Sequence, residues 1–191
     1  THRERDRLEL SMLQHGQIMD QIQKEFHAMS NKIDFVDKIT QGRTTGNPRR
    51  RFFDHLKGVS ALIEQAFPEE QYLIDAGLFH CIYGNDYYSF DEVGHRDEIK
   101  SLIGDKAEEI VHKFCSLENR SMQILQHKFE PELQKDLYIL EYGNILDVAL
   151  YDIRNHGTLR PLSYFRLQLI IANLKDHYGI EMPPLPFEPK K

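Results

Sequence analysis

Two histidines lie in consecutive apolar segments: His55 in Phe52-Phe53-Asp54-His55-Leu56, and His80 in Ala76-Gly77-Leu78-Phe79-His80-Cys81-Ile82. An imidazole among such residues has to be satisfied by a hydrogen bond, a partner charge or a metal. If both rings point into one crevice, the chain has the beginning of a divalent-metal site. The plainer alternative is two core histidines that donate to backbone carbonyls. Cys81 reads as a small buried hydrophobe. Adjacent side chains on a helix point about 100° apart, so Cys81 and His80 do not form a nucleophile and its base.

Arg49-Arg50-Arg51 stands just before His55, where a phosphate-bearing ligand would sit. Elsewhere such a run would be a solvated face or a carboxylate partner. Asn144, on an otherwise apolar helical face, is either a ligand or a buried hydrogen bond between helices.

The elements that must position these residues are helical throughout. Ile18, Ile22, Phe26, Met29, Ile33 and Val36 alternate in steps of four and three. They predict one long amphipathic helix over about 6–37, with a break near Ser30-Asn31. Residues 40–48 are rich in turn formers. Helices are expected over about 50–66, from Pro68 to about Ile82, over about 96–103, and from Asp105 onward. Asp105 and Glu108 have a capping-box-like spacing. Pro131 suits the first turn of a helix that runs to about Asp152. The last helix covers 160–178 and Gly179 stops it. Residues 83–96 have no steady period and read as a long loop. The expected organisation is an N-terminal arm over 1–39 packed on the domain, a helical domain over 40–178 and a proline-rich tail over 179–191. No strand and no internal repeat is expected.

The chain has 191 residues and a formal net charge of −6, which suits one domain and argues against a nucleic-acid polymer as partner. No run approaches the roughly 18 apolar residues of a membrane span. The charged start carries no apolar leader segment. Two cysteines, Cys81 and Cys115, fit reduced thiols, so a cytoplasmic location is expected. The N-terminal stripe offers a homodimer contact as the minority alternative to core packing.

The histidine pair on successive helices, together with Ala76-Gly77-Leu78-Phe79-His80 followed by Tyr83-Gly84, resembles the HD superfamily. Its members carry a His…His-Asp…Asp pattern on separate helices of a bundle and bind one or two divalent metals. Arg96 to Glu108 is similar to the corresponding stretch of the hydrolase domain of RelA/SpoT alarmone enzymes. The Ala-Gly-Leu-Phe-His…Tyr-Gly string is closer to an uncharacterised HD-like family. The resemblance covers roughly residues 40 to 150. It implies that His55 takes the place of the first metal-binding histidine and His80 that of the histidine in the His-Asp pair. The aspartate of that pair falls on Cys81. The distant aspartate falls on Asn144, with Glu141 and Asp147 close enough for the alignment to slip by a turn. Thiol and amide are poor substitutes for carboxylates around a hard divalent ion.

The resemblance implies an all-α, HD-like bundle and a metal-dependent hydrolase of a phosphorylated small molecule or nucleotide, impaired by these two departures. His55, His80 and Asn144 would hold manganese, zinc or iron. Arg49, Arg51, Lys57, Tyr83 and Arg96 would bind the ligand, and Asp54 or Asp86 would orient water. A second reading is a degenerate module that binds a ligand or protein partner without chemistry. A third is a di-iron oxygenase of the HD type, which would recruit His95 and His112.

Overall fold

The computed structural model describes residues 2–84 and 96–187, without the side chains of residues 2–6 and 9. Among the described residues the fold is all-α, as expected: seven helices and one isolated antiparallel bridge between Thr44 and Arg51. The helices are α1 (His2–Thr40), α2 (Phe52–Ala66), α3 (Gln71–Phe79), α4 (Arg96–Ser116), α5 (Arg120–Leu125), α6 (Pro131–His156) and α7 (Pro161–Tyr178).

The chain divides into two compact units, Thr1–Phe35 and Val36–Lys191. The boundary precedes the expected one at 39/40 by four residues, so the last turn of α1 belongs to the second unit. The break expected at Ser30-Asn31 does not occur, and α1 is continuous. Serine and asparagine lower helix propensity by only a few tenths of a kcal/mol, too little to interrupt a helix of this length. In the first unit Leu10, Leu13, Ile18, Ile22, Phe26 and Met29 are exposed.

The second unit is built around α6, which packs on α2, α3, α4, α5 and α7. Its burial runs nearly all round: Leu137, Tyr138, Leu140 and Leu146 are buried, and so are Gln134, Asp136, Glu141 and Asp147. A central helix has no solvent face on which to leave its polar residues, so each buried one needs a partner. α2 contributes Leu56, Val59 and Ile63 to this core, and α4 contributes Ile99, Ile103, Ile110, Val111 and Phe114.

Two glycines let α3 and α6 lie tight against α2. A Cβ on Gly77 would come within 3.1 Å of Ser60 Cα and 2.9 Å of Ile63 Cδ1. A Cβ on Gly143 would meet Ile63 Cγ1 at 3.1 Å and Val59 Cγ1 at 3.2 Å.

Several boundaries differ from the sequence reading: α1 runs on to Thr40 and α6 to His156. Pro68 lies in a turn closed by Glu70 N–H to Phe67 O, and α3 starts after it. α3 ends at Phe79, where the chain continues in i→i+3 turns through Ile82 and Gly84. α5 was not anticipated. The expected separation at Gly104 is real: it sits at φ 81°, a break inside α4 that only glycine adopts without strain.

Candidate functional site

The first histidine is aimed by the segment before its helix. Residues 43–52 form a narrow reversal, with Thr45 N–H to Arg50 O at 3.0 Å and Phe52 N–H to Arg43 O at 3.0 Å. Arg49 and Arg50 lie in the turn and bend that close this reversal and only Arg51 lies in the bridge, so the three arginines do not act as one cluster. Arg51 points out to an exposed ion pair with Asp37 at 2.7 Å. Arg50 points in, only 10% exposed, and binds Asp147 on α6 with its Nη2 at 2.6 and 2.8 Å from the two carboxylate oxygens. Its guanidinium also covers the Tyr151 ring at 4.4 Å.

His55 follows in the first turn of α2. Its Nδ1 lies 2.5 Å from Asp147 Oδ2. Because the carboxylate only accepts, this Nδ1 carries hydrogen. His80 stands at the C-cap of α3, fully buried, and its Nδ1–H donates to Gly77 O at 2.7 Å. That bond satisfies one of the carbonyls a helix end leaves open. Burial first, and then the neighbouring His55 ring, push the His80 imidazole well below the usual histidine range. His80 is therefore neutral, and its Nε2 holds a lone pair.

The two Nε2 atoms face each other at 3.2 Å, with the rings edge to face. Two arrangements satisfy them. His55 Nε2 can carry a hydrogen and donate it, which makes His55 an imidazolium against Asp147. Otherwise both lone pairs bind one cation. The second fits a familiar pattern: metal-ligating imidazoles donate their other N–H to a carboxylate or a backbone carbonyl, and here one does each.

The remaining ligands are less complete. Asn144 lies against His80, and its Nδ2 donates to Glu141 Oε2 at 3.2 Å. Glu141 is also held by Ser121 and by Arg120, the latter at 3.5 Å. Asp147 is committed to Arg50 and His55. Among the described residues no group of three or more His, Cys, Asp or Glu side chains is placed to hold an ion. Two nitrogens and one amide oxygen are what the chain offers; water or ligand atoms would complete the shell. Cys81 and Asn144 line the same cavity of about 440 Å³ as His55, along with Arg50, Phe52, Arg120, Tyr151 and Arg160.

Residues 39–119 match a family model described as a domain of unknown function, DUF6817. No curated protein and no solved structure matches the chain. The DUF6817 match takes in α2, α3 and α4, hence both histidines. It stops at Asn119, before Arg120, Asn144, Asp147 and Arg160, so the other half of the pocket lies outside it.

The other expected site residues fall elsewhere. Asp54 and Lys57 pair with each other at 3.6 Å, both about half exposed. Arg49 and Asp54 line a different cavity from the one at His55 Nε2. Tyr83 and Arg96 both turn to Glu108: Tyr83 Oη at 2.7 Å, Arg96 Nε at 2.6 Å and Arg96 Nη2 at 2.7 Å. These five, with Arg51, do not line the histidine cavity. His112 packs edge-on against Tyr83 at 5.5 Å and is not part of the pair. Asp86 and His95 lie outside the described residues.

Sequence reasoning missed Arg50 as the inward member of its run, Asp147 as the partner of His55, and Arg120 and Arg160 as cavity walls. Nothing in the run of three arginines marks Arg50 as the inward one. Nothing in the spacing marks Arg120, which stands at the start of a six-residue helix.

The Glu108 cluster has a testable pH signature. Burial alone would raise this carboxyl, but the hydrogen bonds from Arg96 and Tyr83 outweigh it and hold it below the usual glutamate range. A depressed folded value means the stabilisation is complete above the ordinary glutamate pKa of about 4.3 and is lost as pH falls through the folded value. Glu108→Gln should therefore lower the melting temperature at pH 7, and the gap to the parent should close on acidification below about pH 4. A gap that stays constant with pH would contradict this assignment.

Proposed function

We propose that this is an HD-like helical domain whose His55–His80 pair holds a divalent metal, and that it acts on a phosphorylated small molecule or nucleotide. The observation that supports it is the facing of two Nε2 atoms at 3.2 Å, each ring anchored through Nδ1 by a group that only accepts. Such a metal would polarise a phosphoryl oxygen or a bound water. The chain's own part is to fix both imidazoles, exclude bulk water and set cations beside the ion.

The ligand set argues for weak metal retention. Asp147 already neutralises Arg50 and Glu141 is shared among Ser121, Asn144 and Arg120, and ligand charge is a main lever on affinity. The same fact favours a second reading, a module that binds its ligand without turnover.

Elemental content of the purified chain decides between them, with thermal melts in manganese, zinc and iron(II). A bound ion at 100 times its dissociation constant adds about 2.7 kcal/mol. We expect metal-dependent stabilisation in the parent and none in His80→Ala. Melting curves indifferent to all three ions would overturn the metal reading. Cys81→Asp with Asn144→Asp should tighten the ion and raise phosphoester hydrolysis in manganese. Brisk turnover in the parent would instead show that the two substitutions do not limit it.

The partner remains a small molecule in this reading. No helix among the described residues is long and apolar enough to cross a membrane. Self-association through α1 is the further partner reading, carried by the exposed Ile22, Phe26 and Met29.

A further inference from the structure

A second cavity of about 350 Å³ adjoins the histidine cavity and shares Arg120, Asn144, Val148 and Arg160 with it. Its character differs. The histidine side is walled by Phe52, Val148 and Tyr151. The second lobe is walled by Arg120, Ser121, Arg160, Ser163 and Arg166, with Glu141 as its carboxylate. Three guanidinium groups thus converge in a chain whose formal net charge is −6. Local concentration of one sign against the global charge is the arrangement that draws in an ion of the other sign.

Their pairing is incomplete. Glu141 faces Arg120 at 3.5 Å but is shared with Ser121 and Asn144, and Arg120 Nε is buried without a hydrogen-bond partner. Arg160 spends its Nε on Asp152 at 3.0 Å and is otherwise 70% exposed. Arg166 has no carboxylate within ion-pair distance among the described residues. A buried guanidinium N–H without an acceptor costs free energy that an oxyanion would recover. Guanidinium groups also match oxyanions two bonds at a time. Arg160 and Ser163 stand at the N-terminus of α7, which has no side-chain cap, so its dipole adds to the same field.

We propose that the lobe at Arg120, Arg160 and Arg166 is an oxyanion subsite, taking a phosphate or carboxylate at one end of a small molecule. The ligand's apolar or aromatic part lies along Phe52, Val148 and Tyr151, beside His55. The proposal deepens the reading that this cavity takes a phosphorylated small molecule and rests on it, but not on the metal.

Calorimetric titration of the full chain in chelator tests it, with inorganic phosphate and acetate as probes. Phosphate preference identifies a phosphoryl end group, and acetate preference a carboxylate; either supports the subsite. Arg166→Gln and Arg160→Gln should each weaken binding about tenfold, the loss of one charge-assisted hydrogen bond of about 1.5 kcal/mol. Because the titration is run in chelator, failure of the metal reading leaves this result intact. Lys128→Gln, which removes an exposed cation elsewhere, should change nothing. Neither probe binding at 10-millimolar order, or equal weakening by Lys128→Gln, would overturn the subsite.

Discussion

Asp147→Ala is expected to cost about 3–5 kcal/mol, the penalty for removing one partner of a buried ion pair. The carboxylate accepts from Arg50 at 2.6 and 2.8 Å and from His55 at 2.5 Å, with both ion-pair side chains at most a tenth exposed. Without it the Arg50 cation stays buried and His55 loses the bond that orients its ring. Urea denaturation at pH 7 reads the loss. Pairing the change with Arg50→Met should recover much of it, because deleting both members of a buried pair is far less costly than deleting one. A single variant as stable as the parent would mean that water replaces the carboxylate freely, contrary to the burial.

Gly58→Ala should do comparable damage from the opposite side. The new Cβ would collide with Asp147 Oδ1, and it would lie 3.0 Å from Asp147 Cγ and 3.6 Å from Arg50 Nη2. Alanine ordinarily favours a helix interior over glycine by about 1 kcal/mol, so propensity alone predicts stabilisation. The clash reverses the sign: overpacking costs about 1–3 kcal/mol, and displacing Asp147 adds the loss of its bonds. The two variants should be strongly non-additive. In the Asp147→Ala background the obstacle is gone, and Gly58→Ala should approach neutrality or stabilise. A double-mutant cycle in denaturant measures this, and simple additivity would show that the Cβ strikes something other than the carboxylate.

Much of the helical scaffold was legible because apolar periodicity is a local signal. The stripe Phe52, Leu56, Val59, Ile63 is the buried face of α2, and Pro131 and Gly179 mark helix ends as proline and glycine usually do. The histidines were legible for a similar reason, since apolar neighbours on both sides of a polar ring are visible in the string itself. Their partners were not. Asp147 is ninety-two positions from His55, and only the fold brings them together. The choice of Arg49 and Arg51 misses Arg50, because a run of like residues says nothing about which way each points until the turn that holds it is known. Asp54 and Lys57 flank His55 in sequence, while Tyr83 and Arg96 belong to the stretches that carry the resemblance. Each finds a nearer partner in the structure: Asp54 with Lys57, and Tyr83 and Arg96 with Glu108. Closeness in sequence thus selects Asp54 and Lys57 from the exposed side of α2.

The glycines at 77 and 143 have a mechanical meaning. Both press on the same turn of α2, at Val59, Ser60 and Ile63, one from α3 and one from α6. α2 is thereby gripped like a bar in a vice, with His55 on the bar and His80 at the end of the α3 jaw. The closeness of the helices behind their rings is inherited from these contacts. The spacing of the two helices that carry the imidazoles is then set by two absent methyl groups rather than by any contact the rings make themselves.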